Sequence, residues 1–229
     1  LLIWGGELRL TPAASSMRID LFAPEQRLIG VLRDSATEIF AEVGLTVDWQ
    51  DLEVGALAPG LALMRVTDIS RPSPSFLRVR LSGPEAARFA IGSLHFRLLL
   101  PQPGRAPVWP RVSASGRTLW PEGADALHRP VYTVRKQASD WLDFDIFRHP
   151  NSPTCDWAEA DPLGQQVGIL GPGGGGCPDA PRLRLFGDET ALPAISRILH
   201  SARGEVRAVL RCAPEDLGPL AADPRVSRT

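Results

Sequence analysis

The N-terminal quarter of the chain combines a strand pattern with a helix pattern. Residues 17–22 alternate between apolar and polar side chains like a short strand. Residues 25–43 carry apolar side chains at helical spacing, and Gly44 stands where a helix C-cap belongs. We therefore expect residues 17–57 to form a small α+β unit. The chain starts on Leu1 and Met17 could open a reading frame, so residues 1–16 are expected to be a start-site artefact or the tail of something longer.

Short alternating segments separated by Pro and Gly dominate the middle of the chain, while residues 102–128 are rich in turn residues. In the segment 141–147, one face carries leucine, phenylalanine and isoleucine, and the other carries Asp143 and Asp145. This pattern predicts an antiparallel barrel or sandwich. Its predicted strands are FLRVRL (76–81), HFRLLLP (95–101), VYTVR (131–135), WLDFDIF (141–147) and QVGILGP (166–172).

The rhythm changes after Pro181 to strand, helix and strand, at residues 182–188, 191–202 and 205–212. Two strands joined by a helix predict a right-handed βαβ unit and a parallel sheet, which needs more than two strands and is expected to be incomplete here. The predicted organisation is an N-terminal α+β extension (1–57), an antiparallel β-barrel domain (58–178) and the start of an α/β domain (179–229).

Composition narrows the function classes without selecting one. The chain has 229 residues, 44% of them hydrophobic, and a formal net charge of −1, so nothing in its charge calls for nucleic acid or an anionic membrane. Cys155, Cys177 and Cys212 have no CxxC spacing, which favours a reducing compartment over a disulfide scaffold or a zinc site. No apolar run approaches the roughly 18 residues of a spanning helix. We expect a cytoplasmic protein.

The segment RPVYTVR contains Tyr132, the single tyrosine of the chain. On a strand, Arg129, Val131, Thr133 and Arg135 face one way and Tyr132 faces the other. An aromatic ring beside a hydroxyl and guanidinium groups suits a flavin nucleotide, because the ring contacts the flavin and arginine pairs with phosphate. A surface strand with solvated arginines explains the same residues, so both interpretations stay open from this segment alone.

Several motifs in order resemble one family. RPVYTVR resembles the R-x-Y-[ST] flavin motif of the ferredoxin reductase-like superfamily. Five further segments resemble the siderophore-interacting proteins, which are FAD-dependent ferric-siderophore reductases. They are HFRLLLP, DFDIFRH, SPTCDWA, VGILGPGG and LFGDETALPAISRIL. The resemblance covers roughly residues 60–212. It implies a Greek-key FAD-binding barrel followed by a nucleotide-binding-like α/β domain.

The resemblance assigns roles within the predicted barrel strand. It implies that Arg129 binds an FAD phosphate, that Tyr132 contacts the flavin ring and that Thr133 lies near the flavin N5. Tyr132 and Thr133 are the implied catalytic residues. Val131, Val134 and Arg135 complete the implied cofactor-binding residues of this strand.

A second implied FAD contact follows His149. The family pattern is His, then Gly-Pro-Ala-Ser-x-Trp-Ala, and residues 152–158 read SPTCDWA. The implied short turn offers backbone N–H groups and a small hydroxyl to the pyrophosphate, with Thr154, Cys155 and Trp157 among the contacts. Ser152 replaces the glycine and Cys155 replaces the serine. A thiol is the weaker hydrogen-bonding group, which predicts lower FAD affinity, although burial as a small apolar side chain also explains Cys155.

The segment Gly187-Asp188-Glu189-Thr190 lies where a predicted strand meets a helix. The resemblance implies that it forms the wall beside the flavin where an electron donor docks. The two carboxylates repel phosphate, so this turn is not expected to bind the pyrophosphate of NAD(P)H tightly. Capping of the helix by Asp188 or Thr190 is compatible with that position.

Other candidate motifs carry no chemistry. GPGGGG (171–176) lacks the ending of a P-loop and is expected to be a flexible interdomain turn. His95, His128 and His200 have no ligand-spaced partners, so no metal site is expected, and His200 is expected to be structural. No GxSxG segment supports a hydrolase.

The function implied by the resemblance is FAD-dependent reduction of ferric siderophores, with release of iron as Fe(II). The implied electron donor is NAD(P)H or a ferredoxin, and the iron is substrate. Two alternatives stay open: a general flavin reductase or electron-transfer protein of the same superfamily, and a non-catalytic siderophore-binding protein.

Overall fold

The structure is a computed structural model that describes residues 2–3, 5–50, 52–90 and 92–229. The strands are β1 (Leu2–Ile3), β2 (Gly6–Pro12), β3 (Met17–Phe22), β4 (Leu61–Ser73), β5 (Phe76–Ser82), β6 (His95–Leu99), β7 (Arg111–Val112), β8 (Thr118–Leu119), β9 (Val131–Gln137), β10 (Trp141–Phe147), β11 (Gln166–Gly173), β12 (Arg182–Asp188), β13 (Glu205–Arg211) and β14 (Val226–Arg228). The helices are α1 (Gln26–Glu42), α2 (Pro153–Glu159) and α3 (Leu192–Ser201). Contacts divide the chain into two units, Leu1–Leu61 with Gly104–Leu127, and Ala62–Pro103 with His128–Thr229. The domain limits expected from the sequence stay predictions.

The first unit contains a three-stranded sheet and α1. β2 pairs with β1 and β3 in antiparallel register, so residues 6–12 form a hairpin with the strand predicted at 17–22. Leu1 and Trp4 lie outside the described residues. α1 confirms the predicted helix. Gly44, with φ of +75°, follows its C-cap in the left-handed conformation that glycine adopts without strain.

The second unit contains a closed barrel with the strand order β10-β5-β4-β11-β6-β9. β6, β9 and β10 are consecutive antiparallel neighbours and β11 returns beside β6, which is a Greek key. The predicted antiparallel barrel is confirmed. β4, a 13-residue strand, was not predicted from its pattern. Side chains with 0% exposure fill the interior, among them Val79, Leu98, Leu142, Phe144 and Ile169.

β5 and β10 show how the alternation positions charge outside the barrel. Most of their apolar residues belong to the barrel core, while Arg78 lies opposite Asp145 and Arg80 lies opposite Asp143. Each arginine donates two hydrogen bonds to its carboxylate, of 2.7 and 2.9 Å in both pairs. Two alternating sequences in register therefore produce both a buried core and two bidentate ion pairs.

The α/β region of the second unit is built on the predicted strand–helix–strand segment. β12 and β13 are parallel, α3 joins them, and β14 adds a third parallel strand on β13. α3 and the residue before it pack closely on β12, since a Cβ at Gly187 would lie 2.4 Å from the Cβ of Ala191 and 3.1 Å from Cδ1 of Ile195. Residues 171–176 were expected to form a flexible interdomain turn, but the first three of them, 171–173, belong to β11.

Candidate functional site

The residues of β9 alternate between the barrel interior and the side of α3. Tyr132 and Val134 face the barrel core. Thr133 reaches His95 on β6, and Arg135 reaches Ser196 on α3. The predicted division of this strand into two faces is confirmed.

Tyr132 is half-buried and its ring packs against two phenylalanine rings. Its centroid is 5.0 Å from that of Phe144 and 6.5 Å from that of Phe96. Burial raises the pKa of the phenol, while a hydrogen bond with the Thr154 side chain opposes the increase. The phenol is therefore neutral at physiological pH.

Thr133 is 8% exposed and its hydroxyl lies 3.0 Å from Nδ1 of His95. Burial lowers the pKa of His95, and the positive charge of Arg197 on α3 lowers it further. Together these effects favour a neutral imidazole, which exchanges one hydrogen bond with Thr133. The pattern analysis did not select His95, since its partner follows 38 residues later in the chain.

The depressed pKa of His95 predicts a stability that falls with acidification. The unfolded chain binds this proton near the ordinary pKa of 6.5, while the folded chain resists it until lower pH. The unfolding free energy should therefore decrease as pH falls from about 6.5 towards the folded pKa. We expect His95→Gln to flatten this slope between pH 7 and 5 in urea unfolding. Equal slopes for the parent and the variant would contradict the assignment.

Arg135 connects the barrel to α3. Its Nε lies 3.5 Å from Oδ2 of Asp145, and its guanidinium donates to the hydroxyl of Ser196, which is buried. Burial lowers the pKa of Arg135, and the negative charge of Asp145 opposes this effect. These two side chains already engage the guanidinium, and a cofactor contact by Arg135 stays a prediction.

The residues that lead into β9 are more accessible. Arg129 is exposed and Val131 is 55% exposed. The carbonyl of Arg129 accepts a 2.8 Å hydrogen bond from Nη1 of Arg97, which fixes its backbone. Val134, by contrast, is 1% exposed and its side chain belongs to the barrel core.

Residues 153–159, where a short turn was expected, form the helix α2, and the phosphate contact expected of this segment stays a prediction. Proline at the first helical position and a serine cap favour a helix here, because Ser152 Oγ accepts from the N–H of Cys155 at 3.3 Å. The Cys155 thiol is buried and faces the carbonyl of Phe147 at 3.5 Å. Trp157 packs against the barrel core, and its Nε1 donates to Gln165 at 2.6 Å.

Thr154 is 1% exposed and its Oγ1 lies 3.0 Å from Nε2 of His128. Sequence reasoning missed His128 as a partner of this motif. A signal was present, since the family pattern has alanine where this chain has Thr154. A buried hydroxyl needs a hydrogen-bonding partner, which predicts a polar side chain from another segment.

Two of the predicted site residues, Asp188 and His149, have hydrogen-bond partners that are near them in the sequence. Asp188 accepts from the N–H of Thr190 at 3.0 Å and from its hydroxyl at 2.6 Å, so it caps the short 3-10 turn Glu189–Ala191 that leads into α3. The N-cap residue of α3 itself is Ala191. The hydroxyl of Thr190 is also the main cause of a lowered pKa for Asp188. His149 is exposed, with Nδ1 3.2 Å from the carbonyl of Pro150.

β9 contacts α3 through Arg135 and Ser196, and it shares the barrel core with α2. Val131, Tyr132, Thr133, Val134 and Arg135 lie on β9, Thr154, Cys155 and Trp157 lie on α2, and Gly187, Asp188, Glu189 and Thr190 precede α3. Within the described residues, no cluster of three His, Cys, Asp or Glu side chains could hold a metal ion. None of the helices in the described ranges has the length and apolarity needed to cross a bilayer.

The barrel is similar in sequence to a known protein family. Residues 65–176 match the family described as the siderophore-interacting FAD-binding domain. The matched segment is just under half of the chain and is similar to that family. It comprises most of the barrel, including β9 and α2.

Two relatives are similar to the chain over a longer stretch. The ferric vibriobactin reductase ViuB of Vibrio cholerae is 30% identical over 159 residues, which are 63% of this chain and 55% of ViuB. A siderophore utilization protein from T. fusca is 31% identical with a TM-score of 0.56, over 67% of this chain and 61% of that protein. This chain thus spans little more than half the length of ViuB.

A more distant structure shows the fold alone. Phthalate dioxygenase reductase is 13% identical with a TM-score of 0.52, over 74% of this chain and 51% of that protein. The expected ferredoxin reductase-like fold, a β-barrel followed by an α/β region, is confirmed.

Proposed function

We propose that this protein is an FAD-dependent reductase of ferric siderophores. The observation that carries the proposal is the position of Tyr132 and Thr133 on β9, with Arg129 just before it, inside the segment that matches a siderophore-interacting FAD-binding family. The sequence identity with a ferric vibriobactin reductase supports the same reaction class.

The residues present suit FAD. Tyr132 offers a half-buried aromatic ring, the neighbouring Val131 offers exposed apolar surface, and Arg129 offers an exposed cation for phosphate. We assign the phosphate to Arg129, the flavin ring to Tyr132 and the neighbourhood of N5 to Thr133. Val131, Val134 and Arg135 belong to the same proposed strand of contacts, and His149, Thr154, Cys155 and Trp157 to the proposed pyrophosphate side.

Bound FAD supplies redox chemistry that amino acids lack, and the protein supplies binding, orientation and electrostatics. Thr133 holds a hydroxyl at a fixed position because His95 is bonded to it at 3.0 Å. The Tyr132 ring is oriented by its contacts with the rings of Phe96 and Phe144. Oxygen ligands of a siderophore hold Fe(III) better than Fe(II), so reduction releases the iron, which we place in the cytoplasm.

The electron donor in this proposal is NAD(P)H or a ferredoxin. Gly187, Asp188, Glu189 and Thr190 form the proposed wall where the donor docks. The hydrogen bond from Thr190 favours the ionised form of Asp188, and a carboxylate at this position repels a pyrophosphate. We therefore expect weak NAD(P)H affinity. Stopped-flow reduction with NADH, NADPH and a reduced ferredoxin would rank the donors.

Removal of the Tyr132 ring tests its contact with the flavin. We expect Tyr132→Ala to change the absorption envelope of bound FAD and to slow its reduction, because the flavin loses its aromatic neighbour. Tyr132→Phe keeps the ring and should retain most of the parent spectrum. A parent-like spectrum and rate in Tyr132→Ala would show that Tyr132 only packs against the core. Circular dichroism checks that both variants are folded.

The decisive experiment is an absorption spectrum after incubation with FAD and desalting. Retained flavin bands that bleach with a reductant and return with a ferric siderophore would support the reductase. Turnover with free flavin or a protein acceptor alone would favour a general flavin reductase. A colourless protein that still binds ferric siderophore would favour the non-catalytic alternative.

A further inference from the structure

A cleft of about 530 Å³ lies beside α3 in the second unit. Ser93 and Leu94, just before β6, contribute to its lining. Gly176 and Cys177, which follow β11, and Arg197 on α3 also line it. The described residues of this lining include none of those assigned to FAD. The cleft is therefore a candidate for a second ligand.

The glycine-rich segment after β11 lies against the backbone that leads into β6. The N–H of Leu94 donates to the carbonyl of Gly175 at 2.8 Å. A Cβ at Gly176 would lie 2.9 Å from the carbonyl oxygen of Gly92, which is too close for a side chain. Glycine at position 176 thus allows these two backbone segments to meet, and together they form part of the cleft.

Arg197 is the only charged residue in the described lining of the cleft. Its side chain is half-buried, and Nη1 donates to the carbonyl of Leu94 at 3.4 Å, longer than the roughly 2.7–3.2 Å of an ordinary hydrogen bond. No ion pair between described residues includes it. Burial lowers the pKa of Arg197, and its positive charge lowers that of His95. A bound anion would stabilise a cation that is partly removed from water without a counter-charge.

The C-terminal end of α3 presents little opposing negative charge to the cleft. Ser201, which also lines the cleft, is the last residue of α3, where backbone carbonyls carry partial negative charge. Its hydroxyl donates to the carbonyl of Arg197 at 2.7 Å. Nη1 of Arg225 donates to the carbonyl of Leu199 at 2.8 Å. These donors reduce the repulsion that the helix end would exert on an anion beside Arg197.

We propose that this cleft binds a phosphate monoester, with the phosphate group on the guanidinium of Arg197 and the organic group against Ala90 and Leu94. A guanidinium presents its N–H groups in a planar fork that matches phosphate oxygens. Ser93 adds a hydroxyl to the same lining. The volume lies within the range of pockets for small organic ligands, about 300–1,000 Å³, so it leaves room for more than the phosphate group.

Cys177 provides a local reporter for the cleft. It is partly exposed, whereas Cys155 and Cys212 are buried. We expect phenyl phosphate, at constant ionic strength, to slow the alkylation of Cys177 by uncharged iodoacetamide along a saturable curve, measured by mass spectrometry. Inorganic phosphate should give the same protection only at higher concentrations. Absence of protection by phenyl phosphate would overturn the site. Equal or better protection by inorganic phosphate would overturn the monoester assignment.

Substitution of Arg197 tests the phosphate contact. Loss of a charge-assisted hydrogen bond predicts that Arg197→Gln binds phenyl phosphate about tenfold to a hundredfold more weakly. Arg203→Gln is the matched control, because Arg203 is exposed, follows α3 and does not line the cleft. It should retain the parent affinity. Unchanged affinity in Arg197→Gln, or equal losses in both variants, would contradict the assignment to Arg197.

A carboxylate introduced into the cleft gives the same decision if Arg197→Gln does not fold. Ser93→Asp leaves Arg197 in place and should abolish the protection of Cys177, because it adds a negative charge to the lining. Protection that persists in Ser93→Asp would place the anion elsewhere and overturn the proposal. Circular dichroism checks that each variant is folded.

The site does not rest on the proposed function, and addition of FAD separates the two. We expect phenyl phosphate to protect Cys177 equally with and without saturating FAD. Competition between FAD and phenyl phosphate would show that the cleft belongs to the flavin site and would overturn a second site. Protection in a protein that retains no FAD would support this site while contradicting the proposed reductase.

Discussion

Replacing Asp145 with alanine should lower the unfolding free energy by about 3 kcal/mol, the lower end of the range for breaking a buried ion pair. The carboxylate is 9% exposed and accepts two hydrogen bonds from Arg78, of 2.7 and 2.9 Å. It also lies 3.5 Å from Nε of Arg135. Its removal leaves two arginines without this counter-charge on the barrel wall. We choose the lower end because the Arg78 side chain is 28% exposed.

Urea unfolding measures this loss, and Glu205→Ala is the matched control. Glu205 is 59% exposed and lies 3.8 Å from both Arg182 and Arg207. Exposed pairs of this kind contribute roughly 0–1 kcal/mol. Similar losses in the two variants would show that the Asp145 cluster does not stabilise the barrel more than a surface pair. The FAD affinity of Asp145→Ala would also show whether Arg135 needs this anchor.

Replacing Arg129 with alanine should weaken FAD binding by about tenfold to a hundredfold. A hydrogen bond to a charged group contributes about 1.5–3 kcal/mol, and the proposed contact is a charge-assisted bond to an FAD phosphate. The side chain is exposed, so the fold should tolerate the change. Titration of FAD by flavin fluorescence measures the dissociation constant.

Arg182→Ala controls for the loss of one positive charge. Its side chain is 86% exposed and lies at the start of β12. We expect its FAD affinity to match that of the parent protein. An unchanged affinity in Arg129→Ala would contradict the phosphate assignment, and equal losses in both variants would indicate a general charge effect.

Local pattern was sufficient for much of the fold. Period-two alternation predicted β5 and β10, and helical spacing predicted α1 and α3. These elements bury one face each, so the apolar spacing that the sequence shows is the spacing that packing requires. β4 was missed because its second half, after Val66, is mostly exposed or half-buried and carries no clear alternation. α2 was missed because seven residues are too few for a periodic signal.

The sequence predicted which residues belong to the candidate site, but it did not predict which side chains contact one another there. Arg129, Tyr132 and Thr133 were selected from one motif, and the resemblance added α2 and the segment before α3. Their contacts depend on groups far apart in the chain: Thr133 with His95, and Arg135 with Ser196. Single-sequence pattern does not encode such pairs, since a histidine or serine looks the same whether or not it has a distant partner.

The sequence by itself determined the order of barrel and α/β region, the faces of β9 and the family resemblance, because these follow from local periodicity and contiguous motifs. Only the tertiary structure decided which polar side chains meet. It placed the Thr154 hydroxyl beside Nε2 of His128, and it buried Cys155 in the barrel core. Closure of the barrel determines these contacts, since it brings together side chains that are separated in sequence and removes them from water. Each buried polar group then needs a partner, and the fold supplies it.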